Sequence, residues 1–130
     1  MKIYNVIGKT QTKELIDEQT KEVLIPSNTI YKLEVNKEAL NLLKTTGGGT
    51  AARTRYLILN LWNYSQYPLN DFDMFGVIRN ADTNFGELII SIFEMCNFQG
   101  DACFHILDEI APLFQDEFYS KYEMSLKDEQ

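Results

Sequence analysis

Several protein classes need residues that this chain barely has. Its 130 residues include two cysteines, Cys96 and Cys103, and a single histidine, His105. Two cysteines make no disulfide framework and suit a reducing cytoplasm, and the bland place for both is a core. One His and two Cys do not complete a zinc set without an acidic fourth ligand, so no metal or cofactor is expected. Three prolines and seven glycines leave no linker-like stretch, and there is no repeat or low-complexity segment. No apolar run approaches the roughly 20 residues that span a bilayer. The start, Met1-Lys2-Ile3-Tyr4-Asn5, has no signal-peptide core. No serine lies in a nucleophile-elbow pattern, and general bases are scarce. The expectation is a soluble, intracellular, non-enzymatic protein of one domain.

What is present favours a folded globule. Hydrophobic residues make up 45% of the chain and charged residues 24%, which places it well away from disordered compositions. At 15.1 kDa, folding buries roughly two-thirds of the extended chain's surface, enough for one core. Nineteen acids against twelve bases leave −7, an unfavourable balance for direct binding to nucleic acid or anionic membranes. That average hides a division. Residues 1–55 hold nine bases and six acids, a net of +3, whereas residues 56–130 hold three bases and thirteen acids, a net of −10. The basic segment can fold against the acidic one, or the excess can face a partner.

Periodicity predicts an α+β, mainly α chain. Ile3–Ile7, Val23-Leu24-Ile25 and the alternating Thr29–Val35 read as strands, with Asp17-Glu18-Gln19-Thr20 as a polar turn. They form a short N-terminal β-hairpin or three-stranded arm over residues 1–35. A compact four- to six-helix bundle follows over residues 36–124, and residues 125–130 make a flexible tail, all within a single domain 1–130. Asn36 is placed to cap a helix carrying Ala39, Leu40 and Leu43. Gly47-Gly48-Gly49 should stop it, and Thr50 should cap the next helix, whose near-continuous Tyr56-Leu57-Ile58-Leu59 marks it as central. Asp71 caps a short helix through Phe72 and Phe75 to Ile78. Asp82 or Thr83 opens another, carrying Phe85, Leu88, Ile89, Ile92, Phe93 and Cys96 and ended by Gln99-Gly100. In the last helical stretch, opened by Asp101, the residues Phe104, Leu107, Ala111, Phe114, Phe118 and Tyr122 form one apolar stripe. Pro112 should kink or split it.

Three patterns are candidates for chemistry. Gly47, Gly48, Gly49 and Thr50 open a helix where free amides can hold an anion, helped by Arg53 and Arg55. The alternative is an ordinary helix-to-helix turn, since the P-loop Gly-Lys-Ser/Thr is missing. Asp71-Phe72-Asp73 with Asp82 and Glu87 offers oxygen ligands, but Asp71 and Asp82 sit where helix caps are wanted. Opposite the last apolar stripe, Asp101, Asp108, Glu109, Asp116 and Glu123 fall on one side at 100° per residue. Such a row can imitate nucleic-acid phosphates, or simply be a solvated face.

Residues 38–116 resemble a small uncharacterised protein family carried by bacterial phages, plasmids and integrative elements. The resemblance rests on Glu38-Ala39-Leu40-Asn41-Leu42-Leu43, on a Gly/Thr turn before an Arg-containing helix, and on Leu57-Ile58-Leu59-Asn60-Leu61-Trp62-Asn63. It continues through Asp71-Phe72-Asp73 and Ala81-Asp82 to Leu88-Ile89-Ile90-Ser91-Ile92-Phe93. Members similar to this chain usually show a Thr-Gly-Gln-Ser turn, a paired Trp-Trp-Asn and a closing Trp-Arg-Pro. Here the turn is Gly48-Gly49-Thr50-Ala51, Leu61 replaces the first tryptophan and the ending is missing. The resemblance implies a mobile element's cargo in a bacterial host cytoplasm, and no catalytic residue.

These readings converge on a non-catalytic accessory protein that binds another protein. Its sharpest form is an anti-CRISPR or anti-restriction inhibitor whose acidic face occludes a basic nucleic-acid site on a host protein. The alternatives are a module that oligomerises, as a homodimer for example, through exposed aromatics such as Tyr119 and Tyr122, and a small-ligand binder at Gly47–Arg55.

Overall fold

A computed structural model describes residues 1–68, 74–98 and 102–122, with the side chains of Met74 and Phe75 left aside. The Asp71-Phe72-Asp73 turn, the Gln99-Gly100 stop, Asp101, Glu123 and the tail lie outside the described residues. Among the described residues the chain is α+β and mainly helical.

The N-terminal arm is longer and more elaborate than two or three short strands. Strand β1 (Tyr4–Gln11) pairs antiparallel with β4 (Thr29–Val35), from Tyr4 opposite Val35 to Gln11 opposite Thr29. A bulge at Ile7 interrupts this ladder, and the next residue is Gly8, where a Cβ would stand 3.3 Å from that of Lys32. Beyond Thr12 and Asn28, joined by a 2.7 Å backbone hydrogen bond, β2 (Leu15–Ile16) pairs with β3 (Val23–Ile25). The four strands thus form two nested ladders, one continuing the other. The polar turn is where the sequence puts it: Asp17 Oδ1 accepts from the amides of Gln19 and Thr20, at 2.9 and 3.0 Å. Sequence reading anticipates β3 and misses β2, a pair of exposed residues with no buried face to impose alternation; every residue in both strands is exposed.

Only the base of the arm enters the core. Ile3, Tyr4, Leu33 and Val35 are buried there, and the Ile3 amide donates to Ser91 Oγ at 2.9 Å. Asn36 closes the base, its side-chain amide donating to the Lys2 carbonyl at 2.8 Å. The same side chain accepts from Glu38 and Ala39 as the cap of α1 (Lys37–Thr45).

The helix that follows begins differently from expectation. α1 ends at a Thr46 cap before the glycines, and α2 (Gly49–Trp62) has Gly48 as its N-cap, with φ +96°. Thr50 lies inside α2 and caps nothing. The positive φ explains the glycine: a side chain there would be strained, so Gly48 supplies the turn that a threonine cap cannot. α2 is central as expected, with Thr54 through Leu59 buried in succession.

α3 (Met74–Asn80) contributes Val77 to the core, and Asp82 caps α4 (Thr83–Cys96) by accepting from the Phe85 amide at 2.7 Å. α4 buries Phe85, Leu88, Ile89, Ser91, Ile92 and Met95 and leaves Phe93 and Cys96 exposed. The last helical stretch is divided as Pro112 requires: α5 (Ala102–Ile110), a 3₁₀ turn (Ala111–Phe114) and α6 (Gln115–Lys121). The tighter turn shifts the angular count, so the single apolar stripe is corrected. Cys103, Ile106, Leu107, Ile110, Ala111, Phe114 and Phe118 face inward, whereas Phe104 and Tyr122 are half exposed. No helix among the described residues is long and apolar enough to cross a membrane.

Candidate functional site

The acid-rich surface depends on how α6 is held against α2. Arg55, on the central helix, is 7% exposed. Its Nε and Nη2 donate to the two carboxylate oxygens of Glu117, both at 2.8 Å. Its Nη1 donates to the carbonyls of Leu43 and Thr46, at 2.9 and 3.0 Å, at the end of α1. Tyr56 adds a hydroxyl donated to Glu117 Oε1 at 3.0 Å. One guanidinium therefore fastens α1, α2 and α6 together, with the planar fork matching the carboxylate. Burial works to raise Glu117, but the hydrogen bonds from Arg55 and Tyr56 outweigh it and hold the carboxyl below its ordinary range. Burial, reinforced by the Glu117 hydrogen bond, pushes the Tyr56 phenol up to about 12.

Aromatic packing completes the joint. Phe118 sits edge-on to Tyr67 and Tyr56, with ring centres 5.1 and 5.5 Å apart, and 4.7 Å from Tyr122. The Tyr67 hydroxyl accepts from Gln115 at 2.6 Å. Tyr119, expected as an exposed anchor, is partly buried, and its hydroxyl accepts from Gln66 at 2.6 Å.

With α6 so placed, Asp108, Glu109 and Asp116 are all exposed. They do not lie on one uninterrupted helix, because the 3₁₀ turn separates Asp116 from the other two. Asp108 is also engaged, accepting from the Trp62 indole at 2.8 Å. Two apolar side chains of the same stretch are also half exposed, Phe104 on α5 at 52% and Leu113 in the 3₁₀ turn at 51%. Residues 80–120 contain eight acids and no Lys or Arg. The stretch from α5 to α6 thus exposes apolar side chains as well as carboxylates.

Part of the acidic excess is neutralised internally. Each of the three ion pairs among the described residues joins a cation of residues 1–55 to an acid of the second segment: the amino terminus with Glu87, Lys2 with Glu94 and Arg55 with Glu117. Asp108, Glu109 and Asp116 take part in none of them.

The glycine loop borders a cleft of about 410 Å³, lined by Thr46 through Ala51, by Asn80 through Asp82 with Asn84 and Phe85, and by Met1, whose ammonium is paired with Glu87. Gly47, Gly48 and Gly49 are exposed. Arg53 is exposed and does not line the cleft, and Arg55 is committed to Glu117. The charged side chain that does line it is Asp82, a carboxylate already capping α4. Among the described residues, no group of three or more His, Cys, Asp or Glu could hold a metal ion.

Sequence reasoning missed the Arg55–Glu117 joint. Its partners are 62 residues apart, and the available signal was an arginine inside an otherwise apolar helix, which has to find a buried acceptor. Comparison with family models, curated proteins and solved structures finds no match.

Proposed function

We propose that this chain is a non-catalytic protein-binding protein whose contact surface is formed by exposed residues of α5, the turn after it and the start of α6. The observation that carries this reading is the combination there of Phe104 and Leu113, each half exposed, with Asp108, Glu109 and Asp116. Apolar anchors provide affinity, and carboxylates outside the ion pairs of the described residues select a basic partner surface. A basic groove that otherwise holds nucleic acid is the complementary chemistry. The resemblance to mobile-element proteins favours a host-defence effector, of the CRISPR or restriction kind, as its owner, met in the bacterial host's cytoplasm.

Glu109→Lys with Asp116→Lys tests this without touching the Asp108–Trp62 bond. In pull-downs against purified host nucleases and CRISPR effectors, the double reversal should weaken capture at least about tenfold, and added salt should weaken the unmodified chain likewise. Capture that survives both charge reversal and salt rejects this surface.

A second reading, self-assembly, moves from aromatics to the arm. Leu15, Ile16, Val23, Leu24, Ile25 and Ile30 are all about half exposed, more apolar surface than an isolated hairpin keeps in water at no cost. Residues 1–35 carry five lysines and five acids, so the −7 belongs to the helical part. Two copies meeting at their arms avoid the repulsion between their helical parts. Sedimentation at tens of micromolar should then show a dimer that Leu24→Asp with Ile16→Asp converts to monomer at unchanged helicity. A monomeric unmodified chain rejects it.

A further inference from the structure

Cys96 is the last residue of α4, and Cys103 is the second residue of α5. The fold brings their sulfurs to 3.6 Å, the Cys103 thiol donating to Cys96 Sγ. The two differ in access: Cys96 is exposed and Cys103 is buried. We propose that this pair is a redox-modification site, in which Cys96 attacks a small-molecule disulfide and Cys103 resolves the adduct into a Cys96–Cys103 bond joining α4 to α5.

The division of labour follows from the geometry. An oxidant arriving from solvent reaches Cys96 and not Cys103. The hydrogen bond from Cys103 stabilises a thiolate on Cys96 and lowers its pKa, against an opposing push from burial. The same bond, followed by burial, raises Cys103, which retains its proton until the second step. The first turn of α5, where Cys103 lies, also favours negative charge nearby. Disulfide bonding needs about 2.05 Å between sulfurs, an approach of roughly 1.5 Å at two helix ends.

The chemistry balances with a disulfide of the glutathione type as oxidant. The Cys96 thiolate attacks one sulfur of oxidised glutathione, a Cys96–glutathione bond forms, and one glutathione thiolate leaves. Cys103 loses its proton to solvent and attacks the Cys96 sulfur, expelling the second glutathione thiolate. Two protein thiols are oxidised, and one external disulfide is reduced to two thiols.

The test uses the full chain in glutathione buffers, followed by denaturation, alkylation and intact mass measurement. The unmodified chain should become resistant to alkylation and lose two hydrogens. Cys103→Ser should instead accumulate one glutathione on Cys96, having no resolving thiol, and Cys96→Ser should keep a free Cys103. Closing the eight-residue span 96–103 should raise the melting midpoint by roughly 5–10 °C over the reduced chain. Two alkylatable thiols in fully oxidised buffer overturn the proposal. So does a stable glutathione adduct on the unmodified chain, or a disulfide between two chains.

Discussion

Arg55→Ala should lower the unfolding free energy by about 3 kcal/mol and the melting midpoint by roughly 10 °C. The loss has two parts. The Leu43 and Thr46 carbonyls at the end of α1 lose their Nη1 donor, and a buried acceptor without a partner keeps its full desolvation cost. Glu117 loses a bidentate partner, but at 40% side-chain exposure it recovers part of its hydration. Arg55→Lys should rescue only a fraction, since one ammonium cannot span the carboxylate and both carbonyls.

The same joint sets a pH dependence. Glu117 is held below its ordinary value, so its contribution is present above the unfolded carboxyl range and fades as pH falls through the folded value. Tyr56 is raised to about 12, so its contribution is present below the unfolded phenol value near 10 and is lost as pH rises towards 12. Thermal melts of Arg55→Ala should therefore show a shallower acid limb than the unmodified chain. Parallel acid limbs from neutral pH downwards contradict the linkage.

Phe118→Ala should cost about 4 kcal/mol, within the usual range of buried aromatic truncations. Phe118 is 2% exposed and packs against four tyrosines, Tyr56, Tyr67, Tyr119 and Tyr122. These rings belong to α2, the segment after it, α6 and the residue that caps α6, so the space left cannot collapse without moving α6. Phe118→Leu keeps most of the volume and should cost about 1–2 kcal/mol. Urea titration measures both, and limited proteolysis near residues 115–121 reports whether α6 undocks first. An alanine variant with an unchanged urea midpoint means that the aromatic joint does not hold α6.

This second result bears on function because α6 carries Asp116 and Glu117. Loosening it should disturb the proposed contact face even though Phe118 itself is buried. A binding assay on Phe118→Ala therefore separates a face that must be rigid from one that works by charge alone.

Several elements were legible in the sequence because their causes are local. Asn36 and Asp82 cap helices through side-chain oxygens that reach amides two and three residues on. Asp17 forms its turn in the same way. The apolar run Tyr56–Leu59 announced a central helix, and Pro112 announced a break, each from chemistry confined to a few neighbouring residues. Where the reading departed from the structure, a backbone dihedral decided, the periodicity changed or the deciding contact was distant. Thr50 looked like a cap, yet the positive φ of Gly48 starts α2. Phe104 fitted a stripe counted at 100° per residue, but Ala111–Phe114 winds as 3₁₀ and the inward face runs through Cys103 and Ile106 instead.

The sequence by itself determined the charge division, the order of strands before helices and the caps, since net charge, alternation and side-chain-to-amide bonds need no distant partner. Tertiary structure alone decided which charges are spent and which are free. Arg55 meets Glu117 across 62 residues, Cys103 meets Cys96 across a helix junction, and Asp108, Glu109 and Asp116 stay outside every ion pair among the described residues. A buried charge has to be paired, and its partner is set by which helices pack together, which no single segment encodes.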